Sequence, residues 1–185
     1  RKSVNTRFNY QLTGKLTVNS SLAMTHVDQS GVSSVKELDY KNEPNKNLFH
    51  GDVGARNIEA IRASSEFKFS PSSSQLLTII PFYRNNQSTM MPSWMVNYDP
   101  NIRTTNFESF GLLSKWRNKF SQSGQFITGM DIDHTPSHYE EYGIARDDLI
   151  KKEDTFVSFI PGTKTYDFNA TQTSISPYLH IENKP

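Results

Sequence analysis

The feature that most constrains the fold of this chain is an alternation of polar and apolar residues with a period of two. In the first such run, residues 3–12, one parity carries Val, Phe, Tyr and Leu side chains beside a single Thr, and the other parity is entirely polar. Because successive side chains of a β-strand point to opposite faces, this period predicts a strand with two different faces. Similar runs predict about seven strands in all, the others being residues 16–25, 61–69, 76–85, 107–117, 125–134 and 173–182. The run 76–85 is apolar on both faces, so its phase is ambiguous.

The connections between these runs alternate between short and long. Turn residues near Gly14, Pro71 and Ser121 predict short connections. The other connections are long polar segments that cover residues 28–55, 87–104 and 135–170. Since successive connections of an antiparallel sheet lie at opposite ends, all the long segments are expected at one end. Bacterial outer-membrane barrels have this asymmetry, with short periplasmic turns, longer extracellular loops and strands of about ten alternating residues.

The composition excludes several classes of protein. Only 35% of the 185 residues are hydrophobic, and no apolar run approaches the roughly 18 residues that a membrane-spanning helix needs. The formal net charge is +1 and there is no basic block, so the sequence lacks the electrostatic pattern of a nucleic-acid-binding protein. Aromatic residues make up 12%, which is too rich for a disordered chain. Cysteine is absent, which excludes disulfide bonds and thiolate sites.

The pattern therefore predicts an all-β fold, an antiparallel transmembrane β-barrel segment of about seven strands in the bacterial outer membrane. Residues 1–185 are interpreted as a partial barrel domain of a longer protein, because the sequence starts at Arg1 without a signal-peptide core and ends just after a strand-like run. Two alternatives stay open. A complete small barrel of about eight strands would act as an adhesin or structural protein. A soluble carbohydrate-binding β-sandwich would also alternate along its half-buried strands.

The placement of charge predicts which face of the strands meets lipid, because a charged residue at the bilayer midplane costs about 2 to 4 kcal/mol in such barrels. We expect lipid contact at Ile61, Ala63, Ser65, Phe67 and Phe69. The predicted lumen-facing charges are Arg62, Glu66, Lys68, Lys115, Arg117, Asp131 and Asp133. Interfacial aromatic girdles are predicted at Phe67, Phe69, Trp116 and Phe120 by the short turns, and at Phe82, Tyr83 and Phe107 by the long loops.

No enzyme signature accompanies the strands, and we predict neither catalytic residues nor a cofactor. The sequence contains no G-x-S-x-G, no glycine-rich phosphate loop and no H-E-x-x-H. Ser33 and Lys36 form an S-x-x-K in a serine-rich segment, where such a match is expected by chance. Imidazole and carboxylate groups at a short spacing that suits Zn or Fe occur at His134, His138, Glu140 and Glu141. A solvated loop accounts for this group, and no metal site is predicted.

Several short runs resemble consecutive barrel strands and loops of TonB-dependent outer-membrane receptors, in matching order and spacing over most of the chain. They are residues 82–87 (FYRNNQ), 91–94 (MPSW), 98–100 (YDP), 111–115 (GLLSK), 129–133 (GMDID) and 174–182 (SISPYLHIE). The resemblance implies that the chain supplies about a third of a 22-stranded wall. In that family the wall encloses a plug domain of the same chain, which these residues do not contain.

Such a receptor would be a ligand-gated importer without catalytic residues. Its small-molecule ligand is usually a ferric siderophore or other iron chelate, sometimes haem, cobalamin or a glycan, and the TonB complex drives uptake through the N-terminal part. We predict ligand binding by Arg84, Trp94 and Tyr98, because a cation and flat rings suit an anionic chelate. The other aromatic and basic residues of the long segments are expected to pack the loops onto each other or to anchor at the lipopolysaccharide interface. They are Tyr40, His50, Arg103, Tyr139 and Tyr142.

Overall fold

The computed structural model describes residues 1–183, which form one large β-sheet with folded loops at one end. The strands are β1 (Lys2–Thr13), β2 (Leu16–Gln29), β3 (Arg56–Phe69), β4 (Gln75–Met90), β5 (Asn101–Lys119), β6 (Gly124–Gly143), β7 (Leu149–Lys152), β8 (Thr155–Phe159) and β9 (Lys164–Asn183). Helical structure in this range is limited to α1 (Glu37–Asn42) and single 3-10 turns at Ser93–Met95 and Arg146–Asp148. Within residues 1–183, no helix has the length and apolar character needed to cross a membrane.

Seven of the strands form one antiparallel sheet in chain order, from β1 to β6 and then β9. Short turns connect β1 to β2, β3 to β4 and β5 to β6 at one end, and long loops make the other three connections. β7 and β8 form a separate hairpin inside the loop between β6 and β9. The predicted all-β antiparallel fold of about seven strands, with its long loops at one end, is confirmed. Within the described residues the sheet does not close, and β1 and β9 are its edges.

The strands extend further toward the loop end than the sequence predicts. The predicted loop 87–104 is too long, because β4 continues to Met90 and β5 begins at Asn101. The predicted loop 135–170 is likewise wrong at both ends, and the connection is confined to residues 144–163. Both faces of these outer strand segments are largely polar, so the hydropathy alternation fades while the backbone ladder of hydrogen bonds continues. The loops also contain α1 and the β7–β8 hairpin, which the pattern did not predict.

The register places the alternating apolar residues of all seven strands on one face, which we call the apolar face. Ala63 of β3, for example, pairs with Leu22 of β2 and Tyr83 of β4. The register also resolves the phase of β4, placing Leu77 and Ile79 on the same face. Large side chains on this face are exposed across the sheet, among them Phe8, Tyr10, Met24, Phe67, Phe110, Trp116, Ile175 and Leu179. No second layer within residues 1–183 covers them.

The opposite face, which we call the polar face, carries the charges predicted to face the lumen. Glu66 accepts a hydrogen bond from the Asn19 amide at 2.8 Å and pairs with Lys68 at 2.9 Å. Phe82 and Phe107 also lie on this face by register, so their predicted place in a lipid-facing girdle is wrong. Hydropathy gave no phase for Phe82 because its strand is apolar on both sides.

The hydrophobic core lies in the long loops and not on the sheet. Six buried side chains from the three loops pack together: Phe49, Val53, Met91, Val96, Ile144 and Phe156. The Phe49 and Phe156 rings meet edge to face, with centroids 6.0 Å apart. Backbone hydrogen bonds join the same loops, since the His50 N–H donates to the Phe156 carbonyl and the Ile144 N–H donates to the Pro100 carbonyl, each at 2.9 Å. The three loops therefore form one folded unit, which we call the loop layer.

Candidate functional site

The loop end of the polar face carries a row of directly opposed residues on five strands. The register aligns Arg56, Met90, Arg103, Glu141 and Tyr166, which lie on β3, β4, β5, β6 and β9 in that order. Adjacent strands lie about 4.8 Å apart, so the row spans about 19 Å. We call it the rim row, because it lies where the sheet meets the loop layer.

A groove of about 310 Å³ lies at the β3–β4 end of the rim row. Arg56 and Met90 line it from the sheet, and Val32 and Trp94 line it from two loops. Trp94 is 68% exposed, so its indole is available to a molecule in the groove. An indole beside a guanidinium offers a flat stacking surface and a positive charge to the same ligand.

An ion pair holds the middle of the rim row. The Arg103 Nε lies 3.1 Å from the Glu141 Oε2, and the Glu141 side chain is only 12% exposed. The Arg103 Nη2 also contacts the Sδ of Met95 at 3.3 Å, which connects the sheet to the loop between β4 and β5. The Tyr139 hydroxyl donates to the same Glu141 oxygen at 2.6 Å. Tyr139 lies beyond the apolar part of β6, and burial, with help from this hydrogen bond, raises its pKa to about 12. The hydroxyl therefore stays a hydrogen-bond donor.

Aromatic side chains complete the β9 end of the site. The Tyr139 ring packs against Phe168 with centroids 5.2 Å apart, and Phe168 and Tyr166 are both more than half exposed. Neither residue was predicted from the sequence, and the same holds for Arg56. Tyr166 and Phe168 share one parity within a polar stretch, and this alternation is the signal that could have identified them. The rim row and its neighbours thus combine two guanidinium groups, one carboxylate and several rings.

The structure separates the three predicted ligand-binding residues. Trp94 lines the groove at the rim, and Tyr98 lies in the same loop with its side chain 76% exposed. Arg84 lies six residues before the end of β4, which places it about 20 Å below the rim at the usual rise of a strand. There it pairs with Asp133 and stacks over the Phe82 ring at 5.0 Å. Arg84 therefore belongs to the wall of the sheet, away from the loop residues.

The other predicted groups are also placed by the fold. The Ser33 Oγ accepts a hydrogen bond from the Leu48 N–H at 2.7 Å, a structural contact in the loop layer. The His134, His138, Glu140 and Glu141 group is divided between the two faces of β6 by strand alternation. Glu141 joins the rim row on the polar face, and the other three residues lie on the opposite face.

Comparison with known proteins supports the fold. No family model matches the sequence, and no curated protein sequence matches it. Among solved structures, the chain is similar to the ferric citrate transporter FecA in its unliganded form, with a TM-score of 0.71 and 14% sequence identity. The match covers 98% of this chain and 27% of the transporter, so the chain spans about a quarter of that protein's length. At this identity the likeness shows the fold, an antiparallel sheet consistent with a barrel segment.

Proposed function

We propose that this chain is part of the wall of a TonB-dependent outer-membrane receptor that imports an anionic iron chelate. The proposal rests on the two faces of the sheet. The apolar face is uncovered, and the polar face carries the rim row at its loop end. Lipid would meet the first face, and the ligand would enter along the second.

The uncovered apolar face supports the membrane location. Soluble monomers rarely expose contiguous apolar patches larger than a few hundred Å², and burying a large apolar side chain is worth about 1.5 to 3 kcal/mol. The exposed side chains on this face include Phe8, Phe67, Phe110 and Ile175, on four different strands. Contact with lipid would remove all of this surface from water.

The open edges of the sheet support a wall made of further strands. β1 and β9 have no second neighbour among the described residues. Unpaired backbone groups are not tolerated in lipid, so a sheet that spans the membrane must close into a barrel. We propose that other strands of the parent protein pair with both edges. A plug domain of the same protein would pack on the polar face, where Arg62, Lys68 and Asp131 offer charge.

The rim row supports an anionic ligand. The guanidinium fork of arginine matches carboxylate oxygens in bidentate geometry, and Arg56 and Arg103 lie two strands apart on one face. Trp94 and Phe168 add flat surfaces at the two ends. Ferric citrate is what the structurally similar transporter is named for, and an iron–citrate complex presents carboxylate oxygens of this kind. Arg84 would contact the ligand after it has left the rim row, further along the same face toward the short turns.

Binding and uptake by the full-length protein in cells without other iron receptors test the proposal. The probes are ferric citrate, a ferric hydroxamate siderophore and cobalamin. Arg103→Ala and Trp94→Ala are each expected to weaken binding of the iron probe about tenfold. A hydrogen bond to a charged group is worth about 1.5 to 3 kcal/mol, and covering the exposed apolar surface of a large side chain contributes a similar amount. Arg117→Ala, on the same face near the short turns, is the control and should leave binding unchanged.

Three results would contradict parts of the proposal. Binding of cobalamin alone would exclude the iron chelate and leave the importer. Unchanged binding in both rim variants would exclude the rim row as the ligand site. Recovery of the parent protein in the aqueous fraction without detergent would exclude the membrane location.

A further inference from the structure

Three potential metal ligands converge on the apolar-face side of β6 and β9, on the loop side of Ile132 and Ile175. Glu140 and Asp167 are directly opposite each other, and His138 lies opposite Asn169 on the next same-face position. The ligand atoms of His138, Glu140 and Asp167 all lie within 4.8 Å of one another. Their side chains are between 28% and 46% exposed, so an ion can reach them from solvent.

Two of the three separations in this group match those of a tetrahedral ion, and the third, between the two carboxylates, is no more than 4.8 Å. The His138 Nε2 lies 3.4 Å from the Glu140 Oε1 and 3.5 Å from the Asp167 Oδ1. Zinc binds imidazole nitrogen and carboxylate oxygen at about 2.0 to 2.2 Å, which in a tetrahedron separates neighbouring ligand atoms by about 3.3 to 3.5 Å. An ion could therefore enter without any large movement of the two strands.

A residue outside the group orients the histidine. The His138 Nδ1 lies 2.8 Å from the Asn169 Oδ1, and since that oxygen only accepts, Nδ1 must carry the proton. Nε2 faces both carboxylates and donates its own proton to them when no ion is present, so Nε2 becomes the ligand atom when an ion displaces that proton. Metal-binding histidines are oriented in this way by a hydrogen bond from the other ring nitrogen. The hydrogen bond thus holds the imidazole in the orientation that a metal ligand needs.

We propose that His138, Glu140 and Asp167 bind a divalent transition ion, with Zn²⁺ the best fit, and leave a fourth position open to water or an anionic group. Magnesium and calcium need six or more oxygen ligands and do not favour imidazole. The Lys164 ammonium now bridges the two carboxylates, at 2.8 Å from Glu140 and 2.7 Å from Asp167. It must be displaced by the ion, so it acts as a competitor. This inference depends on the geometry of β6 and β9 and not on the proposed transport.

Isothermal titration calorimetry of the full-length protein in detergent, with Zn²⁺ as the titrant, tests the site. His138→Ala is expected to lower the Zn²⁺ affinity of one site by more than tenfold. Asn169→Ala, which removes only the orienting hydrogen bond, should lower it about tenfold. Lys164→Gln should raise the Zn²⁺ affinity several-fold, because it removes the competing ammonium. If these residues formed only a structural salt bridge, the substitution would not increase zinc binding. A tenfold excess of Mg²⁺ should not compete.

His134→Ala is the matched control, since His134 lies on the same face of β6 and contacts Thr173. It should leave zinc binding unchanged. Circular dichroism of each variant verifies that the sheet is intact, and Asp167→Asn replaces His138→Ala if that variant does not fold. Zinc binding that is the same in the wild type and in His138→Ala, or weaker in Lys164→Gln, would overturn the proposal.

Discussion

At the scale of single residues, Gly111 on β5 determines how the polar face packs. A Cβ at this position would lie 2.5 Å from the Phe82 Cζ and would also clash with the Ile132 carbonyl oxygen on the next strand. The glycine lets the Phe82 ring lie flat on the sheet, and the Arg84 guanidinium stacks on that ring. Phe82, which its position near a strand end assigned to an interfacial girdle, is therefore a packing residue of the polar face.

We expect Gly111→Ala to lower the free energy of unfolding by about 1 to 3 kcal/mol, the usual cost of overpacking. The Ile132 carbonyl belongs to the backbone, so it cannot rotate away as a flexible side chain would. Urea unfolding of the full-length protein in micelles, followed by tryptophan fluorescence, measures the change. Gly14→Ala is the control, because no atom lies within 4 Å of its added Cβ. Equal stability of the two variants would contradict the packing of Phe82 on Gly111.

At the scale of elements, the loop layer is the part of the structure that resembles a conventional protein core. Phe49, Met91 and Phe156 come from three different loops and are each less than 9% exposed. Gly54, with a φ of +67°, adopts a left-handed backbone conformation beneath the Phe49 ring, which a residue with a side chain rarely adopts. The loops are consequently held to each other as well as to their strands.

Phe156→Ala should open the loop layer while the sheet stays folded. Removing a buried phenylalanine costs about 3 to 5 kcal/mol, and the Phe156 ring packs on Phe49 of another loop. Limited proteolysis of the full-length protein in membranes is expected to show new cleavage within residues 30–55 and 144–163. Leu38→Ala, at a position 73% exposed on α1, should show the wild-type pattern. Wild-type resistance of Phe156→Ala would mean that the buried cluster does not hold the loops together.

Whether a strand could be located from the sequence depends on whether its apolar residues alternate with polar ones. β2 and β3 could be placed from sequence because their apolar residues alternate along most of their length. The outer segments of β5 and β6 could not, because polar residues occupy both of their faces. The rim row needs the register of five strands, and Arg56 and Tyr166 are distant in sequence. Trp94 could be named from its residue type and its place in a long polar segment, and its contact with a ligand stays a prediction.

At the scale of the whole molecule, the dominant feature is a sheet with two chemically different faces. Leu22, Ala63 and Tyr83 stand on one face, and Arg62 and Glu66 stand on the other. The buried apolar residues lie in the loops at one end of the sheet. The loop layer therefore does not cover either face along the full length of the strands. A single layer of this kind is stable only when the apolar face meets another apolar phase.

The most direct test compares Ser64→Cys with Ser65→Cys in a cysteine-free background of the full-length protein in membranes. These neighbours have the same side chain, and their hydroxyls pair with Ser21 and Ser20 respectively on opposite faces of the sheet. We expect a lipid-soluble thiol reagent to modify position 65 and spare position 64, and a small water-soluble reagent to show the reverse preference. Equal modification of both positions by the water-soluble reagent, or modification of position 64 by the lipid-soluble one, would contradict this assignment of the two faces.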